Sequence, residues 1–311
     1  MGASTFGIYL PQVKFSGTEY VDRAVIVEEL GFDSLWLYDH LWAPGQAEFD
    51  SFEAMTLATW VLARTSRLRV GHLVTAAGFR NPVLLAKMFA SLDALSGGRL
   101  EIGIGSGSIP DEHHMAGLPY GTASQRSALL DETLQALLGL FTGEPFSLEG
   151  TQVHIDSVRS LPTPVQQPHP PIHIGGVGPK FTLPLVAKHA DVWSIPTYGL
   201  AGWREARDTL FEFMAAEGRD PKSLRISHEA VLVIGRDEAE LASAISLADR
   251  RFPGEGWGVH EGGYVGTPNQ LVDHIGAMKE EGVTDFIFFT PDRANPETLA
   301  TFALDVLPQL R

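Results

Sequence analysis

Short runs of apolar, β-branched and aromatic residues alternate along this chain with longer stretches whose apolar positions recur every three or four residues. The first pattern predicts strands and the second predicts helices. Thr5–Leu10 reads as a strand, and Thr18–Leu30 as a helix with Val21, Ala24, Val25 and Leu30 on one face and Gly31 as its stop. Strand two is Ser34–Tyr38, followed by a helix over Phe52–Thr65. Strand three is Leu68–Thr75, followed by a helix over Pro82–Leu95 that Gly97-Gly98 closes. Strand four is Leu100–Ile104, with a long helix, Ala123–Phe141, after it. Residues 142–171 break the rhythm: they are rich in Pro and polar residues and predict an excursion with a short hairpin around Val153–Ile155.

The alternation then resumes. Ile172–Gly175, Val192–Ile195, Leu224–Ile234 and Thr284–Phe289 are strands five to eight. Helices follow them at about Pro179–His189, Gly202–Ala216, Glu238–Arg250 and Pro296–Leu307. One extra helix, about Pro268–Glu281, precedes the last strand, with Thr267 as its cap and Pro268 at its first position. Eight short strands, apolar nearly throughout and each followed by a helix, predict parallel pairing buried on both faces. The expected fold is α/β, a (β/α)8 TIM barrel forming one domain over 1–311. An open doubly wound sheet is its rival.

Composition narrows the chemistry. The net charge of −15 disfavours phosphate backbones, so nucleic acid is not an expected partner. There is no cysteine, which excludes disulfides, zinc–thiolate sites, iron–sulfur clusters and thiol nucleophiles. The first residues lack a signal-peptide pattern, Phe6 breaks the myristoylation pattern, and no run approaches 18 apolar residues. A cytoplasmic protein is expected. No metal site is expected: His113 and His114 are adjacent and face apart, and His169 and His173 have two prolines between them. No GxSxG nucleophile elbow occurs.

In a (β/α)8 barrel the chemistry sits where strands end. Strand two ends in Asp39-His40, and a histidine at such a rim can give or take a proton; a capping Asp beside a hydrogen-bonded His is the other reading. Strand five runs into Gly175-Gly176-Val177-Gly178-Pro179-Lys180. Glycines there let backbone N–H groups face a ligand, and a helix beginning at Pro179 would favour an anion, so the loop is either a phosphate niche or a tight turn. Gly103, Gly105 and Gly107 after strand four either let a flat ring lie on the backbone or merely end a strand. Trp42, Phe79, Tyr120, Trp193, Tyr198 and Trp257 fall near rim loops, as pocket walls or as ordinary packing.

These residues also carry a family resemblance. GFDSLWLYDHL (Gly31–Leu41), the stretch Leu73–Gly107, PHPPIHIGGVG (Pro168–Gly178), ADVWS (Ala190–Ser194) and Gly266–Phe289 stand in an order and spacing that resemble the luciferase-like flavin and deazaflavin oxidoreductases over most of the chain. The resemblance implies a barrel with an excursion after helix four, often dimeric, so a homodimer acting on a small molecule is expected. It implies a coenzyme across the barrel mouth, with Asp39 and His40 lining the reactive ring and His40 near the carbon that exchanges hydride. Asp39 would orient the ring or the imidazole. Leu73-Val74 would form a bulge, often with a cis peptide, that backs the ring. Gly105 and Gly107 would flank the ring, and Gly175, Gly176, Val177 and Gly178 would hold the phosphate, with Thr197 after strand six also at the coenzyme. The Asp-His pair looks more like the branch that uses coenzyme F420 than the FMN branch. Sugar-phosphate dehydrogenases of that branch carry a glutamate where this chain has Ser108; Glu112, four residues on, is the candidate to stand in. The first expectation is therefore hydride transfer between F420 and a small organic substrate. The alternatives are an FMN-dependent two-component monooxygenase with residues 251–265 as its lid, and a non-catalytic coenzyme-binding protein.

Overall fold

The structure, a computed structural model, describes residues 4–252, 259 and 262–311. Its parallel strands are β1 (Thr5–Tyr9), β2 (Ser34–Leu37), β3 (Arg69–His72), β4 (Thr75–Ala76), β5 (Ile102–Gly105), β8 (Ile172–Gly175), β9 (Val192–Pro196), β10 (Arg225–Ile234), β11 (Tyr264–Gly266) and β12 (Asp285–Phe289). The main path runs β3-β2-β1-β12-β10-β9-β8-β5-β4. Its two ends, β3 and β4, are consecutive pieces of one strand, and a bridge between Val70 and Leu100 helps to close the seam. The sheet is thus a (β/α)8 barrel, as the alternation predicts, and not an open sheet.

Helices α1 (Gly17–Glu29), α2 (Ala54–Arg64), α3 (Pro82–Ser96), α4 (Pro110–Met115), α5 (Ala123–Phe141), α6 (Thr182–His189), α7 (Trp203–Ala216), α8 (Glu238–Arg251), α9 (Pro268–Glu280), α10 (Pro296–Asp305) and α11 (Leu307–Leu310) surround it. Their starts follow from local chemistry. The Ser16 hydroxyl accepts the Glu19 N–H while the Glu19 carboxylate accepts the Ser16 N–H, satisfying two donors at the head of α1. Thr122 and Gln125 do the same for α5. Gly97, with φ of 71°, ends α3 in a left-handed cap that a side chain would strain. Residues 142–171 hold the predicted hairpin, as β6 (Phe146–Glu149) against β7 (His154–Val158).

Three local expectations need correction. The single strand expected over Leu68–Thr75 is broken by a cis peptide between Leu73 and Val74. The helix expected from Pro179 begins at Thr182, because the Gly178 carbonyl accepts both the Thr182 and Leu183 N–H groups at 3.0 Å and leaves Pro179-Lys180-Phe181 as a turn. The last helix breaks at Val306, where Pro308 has no N–H to continue it. Two short elements, α4 and β11, were not expected at all. The part of the expected lid at 253–258 and 260–261, Trp257 included, lies outside the described residues.

Inside the barrel, side chains alternate. Trp36 fills the middle, and the wall around it is glycine: a Cβ on Gly71 would come within 2.4 Å of the Trp36 ring, and one on Gly7 within 2.9 Å of its Nε1. Below Trp36 lies a charged layer. Glu101 accepts from His173 Nε2 at 3.0 Å and from Arg69, while Arg225 pairs with Asp285 at 3.1 Å. A cavity of about 290 Å³ opens among these groups at the strand N-termini. Above Trp36 lies the mouth.

Candidate active site

His40 follows β2 at the rim, its side chain 27% exposed. Its Nδ1–H donates to Glu112 Oε2 at 2.9 Å, and the other Glu112 oxygen accepts the Leu41 N–H. The Glu112 side chain is only 3% exposed. A carboxylate that accepts both donors fixes the imidazole's rotation and tautomer, so the ring presents Nε2 outward. Nε2 has no partner among the described residues. Tyr38 packs edge-on against the same ring, with centroids 5.2 Å apart. Helix α4 brings Glu112 there, with the carboxylate in its first turn where the helix dipole favours negative charge.

Asp39 does something else. Arg80 grips its carboxylate with two nitrogens at 2.6 and 2.8 Å, and the Ala76 N–H donates to it at 3.0 Å. Arg80 also reaches Glu53 at 2.6 Å. Asp39 therefore ties the tip of strand two to the turn after β4. The expectation that it orients the imidazole is corrected: Glu112 holds that position.

The Leu73–Val74 peptide is cis and turns Val74 toward the tips of β5 and β8. A Cβ on Gly105 would fall 2.6 Å from Val74 Cγ2, and one on Gly175 3.5 Å from Val74 Cγ1. Three strand ends thus converge on a shelf in which Val74 packs against two glycines. Gly107, with φ of 79°, lies beside His113, where a Cβ would come within 3.0 Å of Nε2. The strand-five loop is braced from below: Trp193 Nε1 donates to the Gly176 carbonyl at 2.8 Å, and the Gly176 N–H donates to Ser194. The N–H groups of Val177, Gly178, Lys180 and Phe181 find no acceptor among the described residues. Val177 itself packs against Gly199. Thr197 is buried, and its hydroxyl donates to the Glu229 carbonyl at 3.1 Å, so it links β9 to β10.

Among the aromatics, Trp193 is fully buried and acts as a strut, not a pocket wall. Phe79 and Tyr120 sandwich His113 at 4.7 and 5.0 Å. Tyr198 is half exposed at the lip. Sequence reasoning missed the Arg80 clamp and the whole of α4. Pro110 followed by two acidic residues is a helix-start signature that would have found the latter.

An eight-stranded parallel barrel with a carboxylate-held histidine and a glycine shelf at the C-terminal rim has the build of a TIM-barrel enzyme. The chain belongs to the luciferase-like monooxygenase family, whose profile matches residues 4–285. Among curated proteins it is 29% identical to an F420-dependent hydroxymycolic acid dehydrogenase of Mycobacterium tuberculosis, over 98% of this chain and 88% of that one. It is 27% identical to an F420-dependent glucose-6-phosphate dehydrogenase of Kineococcus radiotolerans, over 96% and 94%. Among solved structures, the F420-dependent tetrahydromethanopterin reductase of Methanopyrus kandleri superposes with a TM-score of 0.82 at 19% identity, over the whole of both chains.

Proposed function

We propose that this protein is an F420-dependent oxidoreductase acting on a small organic substrate, with His40 as the acid–base group. The observation that carries the reading is the His40–Glu112 pair, which leaves an oriented, solvent-reachable Nε2 at the mouth. The full-length relatives named for F420 support the choice of coenzyme. The residues fit such a coenzyme. The shelf of Val74, Gly105 and Gly175 suits a flat ring, since the two glycines add no side chain to the surface that Val74 backs. The free N–H groups from Val177 to Phe181, with Lys180 beside them, suit a phosphate.

When bound, the deazaflavin supplies a ring carbon that gives or takes hydride. The protein's part is to hold the substrate heteroatom and move its proton. In the alcohol-oxidising direction His40 Nε2 accepts the hydroxyl proton, and the Glu112 carboxylate stabilises the imidazolium that results. In reverse the imidazolium donates to the carbonyl oxygen. Asp39 and Arg80 keep the rim rigid beneath the ring. The reading takes the protein as a cytoplasmic homodimer; exposed Leu84, Leu95 and Leu161 with Val165, on α3 and the excursion, offer an apolar face for the second copy.

Parallel titrations with F420 and FMN test the coenzyme, and a His40→Ala variant tests the chemistry. Saturable F420 binding, with turnover lost in His40→Ala at unchanged coenzyme affinity, is expected. Tight FMN binding without F420 binding, together with oxygen consumption, replaces this reading with an FMN-dependent monooxygenase. Coenzyme binding with no turnover of any acceptor makes it a carrier.

A further inference from the structure

Strand β10 alternates Arg225, Ser227, Glu229 and Val231 with residues that face the helices. Glu229 is level with Ile287 and Pro196, which places it in the upper layer of the barrel below the mouth. It is 7% exposed, and its carboxyl has no hydrogen bond or ion pair among the described residues. Its oxygens are nevertheless absent from the fully enclosed polar atoms, so a small molecule can reach them. Tyr9 of β1 stands on the other side of β12, half-buried, its ring edge-on to Phe289 at 6.0 Å, and its hydroxyl has no hydrogen-bond partner among the described residues. Leu73, Ile287 and Phe289 supply apolar surface on these walls, and at the end of β9 burial, followed by the proximity of Glu229, raises the Tyr198 phenol.

Buried polar groups are almost always paired, and one left unpaired costs stability. A buried carboxyl without a partner, with a half-buried phenol across β12 from it, points to a ligand that completes them. Burial alone lifts the Glu229 carboxyl to about 8, and burial followed by the proximity of Glu229 raises the Tyr9 phenol well above its ordinary value. Both are therefore O–H donors at neutral pH. No cation contributes to the environment of Glu229. Circling the barrel, the shelf of Val74, Gly105 and Gly175 comes from the break between β3 and β4 and from β5 and β8, whereas Tyr9 and Glu229 come from the opposite side, flanking β12.

We propose that Tyr9 and Glu229 form the substrate-recognition site: two neutral donors that hold the uncharged carbonyl or hydroxyl oxygen of a small organic substrate. This rests on the reading that the mouth seats the coenzyme on the opposite wall. A protonated carboxylic acid in an apolar site beside a tyrosine is an effective holder of a carbonyl oxygen. A phosphate would meet two weak donors, an acid that cannot ionise beside it and no counter-cation. The substrate class is thus neutral, unlike the sugar phosphates in the names of some relatives.

The test uses the full chain with F420 bound, and three matched probe series of rising chain length: secondary alcohols with their ketones, primary ammonium compounds, and monoalkyl phosphates. Binding is measured by calorimetry and turnover by coenzyme absorbance. Wild type is expected to take the alcohol and ketone series in preference to the others. Glu229→Leu should weaken kcat/KM or affinity for that series by about tenfold or more, the scale of one lost buried hydrogen bond. Tyr9→Phe should do so several-fold, and Glu229→Gln, which still donates, should recover most of the loss. F420 affinity should stay within about twofold in all three variants. A Glu229→Leu protein that folds and handles the alcohols like wild type overturns the proposal, as does wild-type preference for the ammonium or phosphate series, or failure of all three. If wild type binds the alcohols through Glu229 but not F420, the coenzyme reading falls and this one stands.

Discussion

Glu229→Gln isolates the energetic consequence of the unpaired carboxyl. In the folded protein the group titrates at about 8 instead of the ordinary 4.5 because burial disfavours its charged form. It therefore stays protonated in the fold while the unfolded chain releases the proton above 4.5, so unfolding is increasingly favoured as pH rises. Neutral pH lies about 2.5 units above the unfolded value, and at ~1.36 kcal/mol per unit the wild type has lost about 3 kcal/mol by pH 7. The Gln variant has no such proton to lose. The difference in stability between variant and wild type should grow by ~1.4 kcal/mol per pH unit from 4.5 to 8 and level off above that. With ~2.1 cal/mol/K of unfolding entropy per residue over 311 residues, about 3 kcal/mol is a shift of roughly 5 °C in Tm. Denaturant unfolding of both proteins at several pH values between 4.5 and 8.5 reads this directly. The slope with pH carries the test, because any packing cost of the amide is the same at every pH. A difference that does not vary with pH refutes the buried, neutral carboxyl.

Three further outcomes are expected. Glu112→Gln should lower kcat by roughly 10²-fold or more with coenzyme affinity nearly unchanged, because the imidazole loses its orienting carboxylate; steady-state kinetics and an F420 titration check this. Arg80→Ala should destabilise the fold by about 3–5 kcal/mol in denaturant melts, since it leaves Asp39 buried without its two-pronged partner. His228, which accepts from or donates to the Tyr264 hydroxyl at 2.8 Å, is held down to about 3 by burial and then by the charges of His274 and Arg204. It stays neutral in the fold while the unfolded chain takes a proton below 6.5, so stability should fall by roughly 2 kcal/mol between pH 7 and pH 5 on its account, a slope that His228→Gln should remove.

Much of the barrel was legible because each strand is a short apolar run and each helix carries its own start and stop chemistry. Ala123–Phe141 and Ile172–Gly175 are found where the pattern puts them. The break after His72 was not legible, since the sequence there runs on as apolar residues with no turn signal. Pro179 misled, because it suits the first position of a helix but here the Gly178 carbonyl organises the turn. His40 could be singled out from its place after a strand, but its partner lies 72 residues away on a helix of six residues, too short for periodicity to reveal. Glu229 was missed although Arg225, Ser227 and Glu229 are polar at every second position of β10, which marks an inner wall; His228 between them blurs the alternation.

Trp36 works as a stopper. By occupying the bore between the ionic floor and the open rim, with Gly7 and Gly71 closed against its ring, it divides the barrel into a lower and an upper compartment. Changes to the Glu101, His173, Arg225 and Asp285 layer should then move melting behaviour without touching turnover. Heat resistance can thus be adjusted from the barrel floor while the substrate range set at the mouth is left alone.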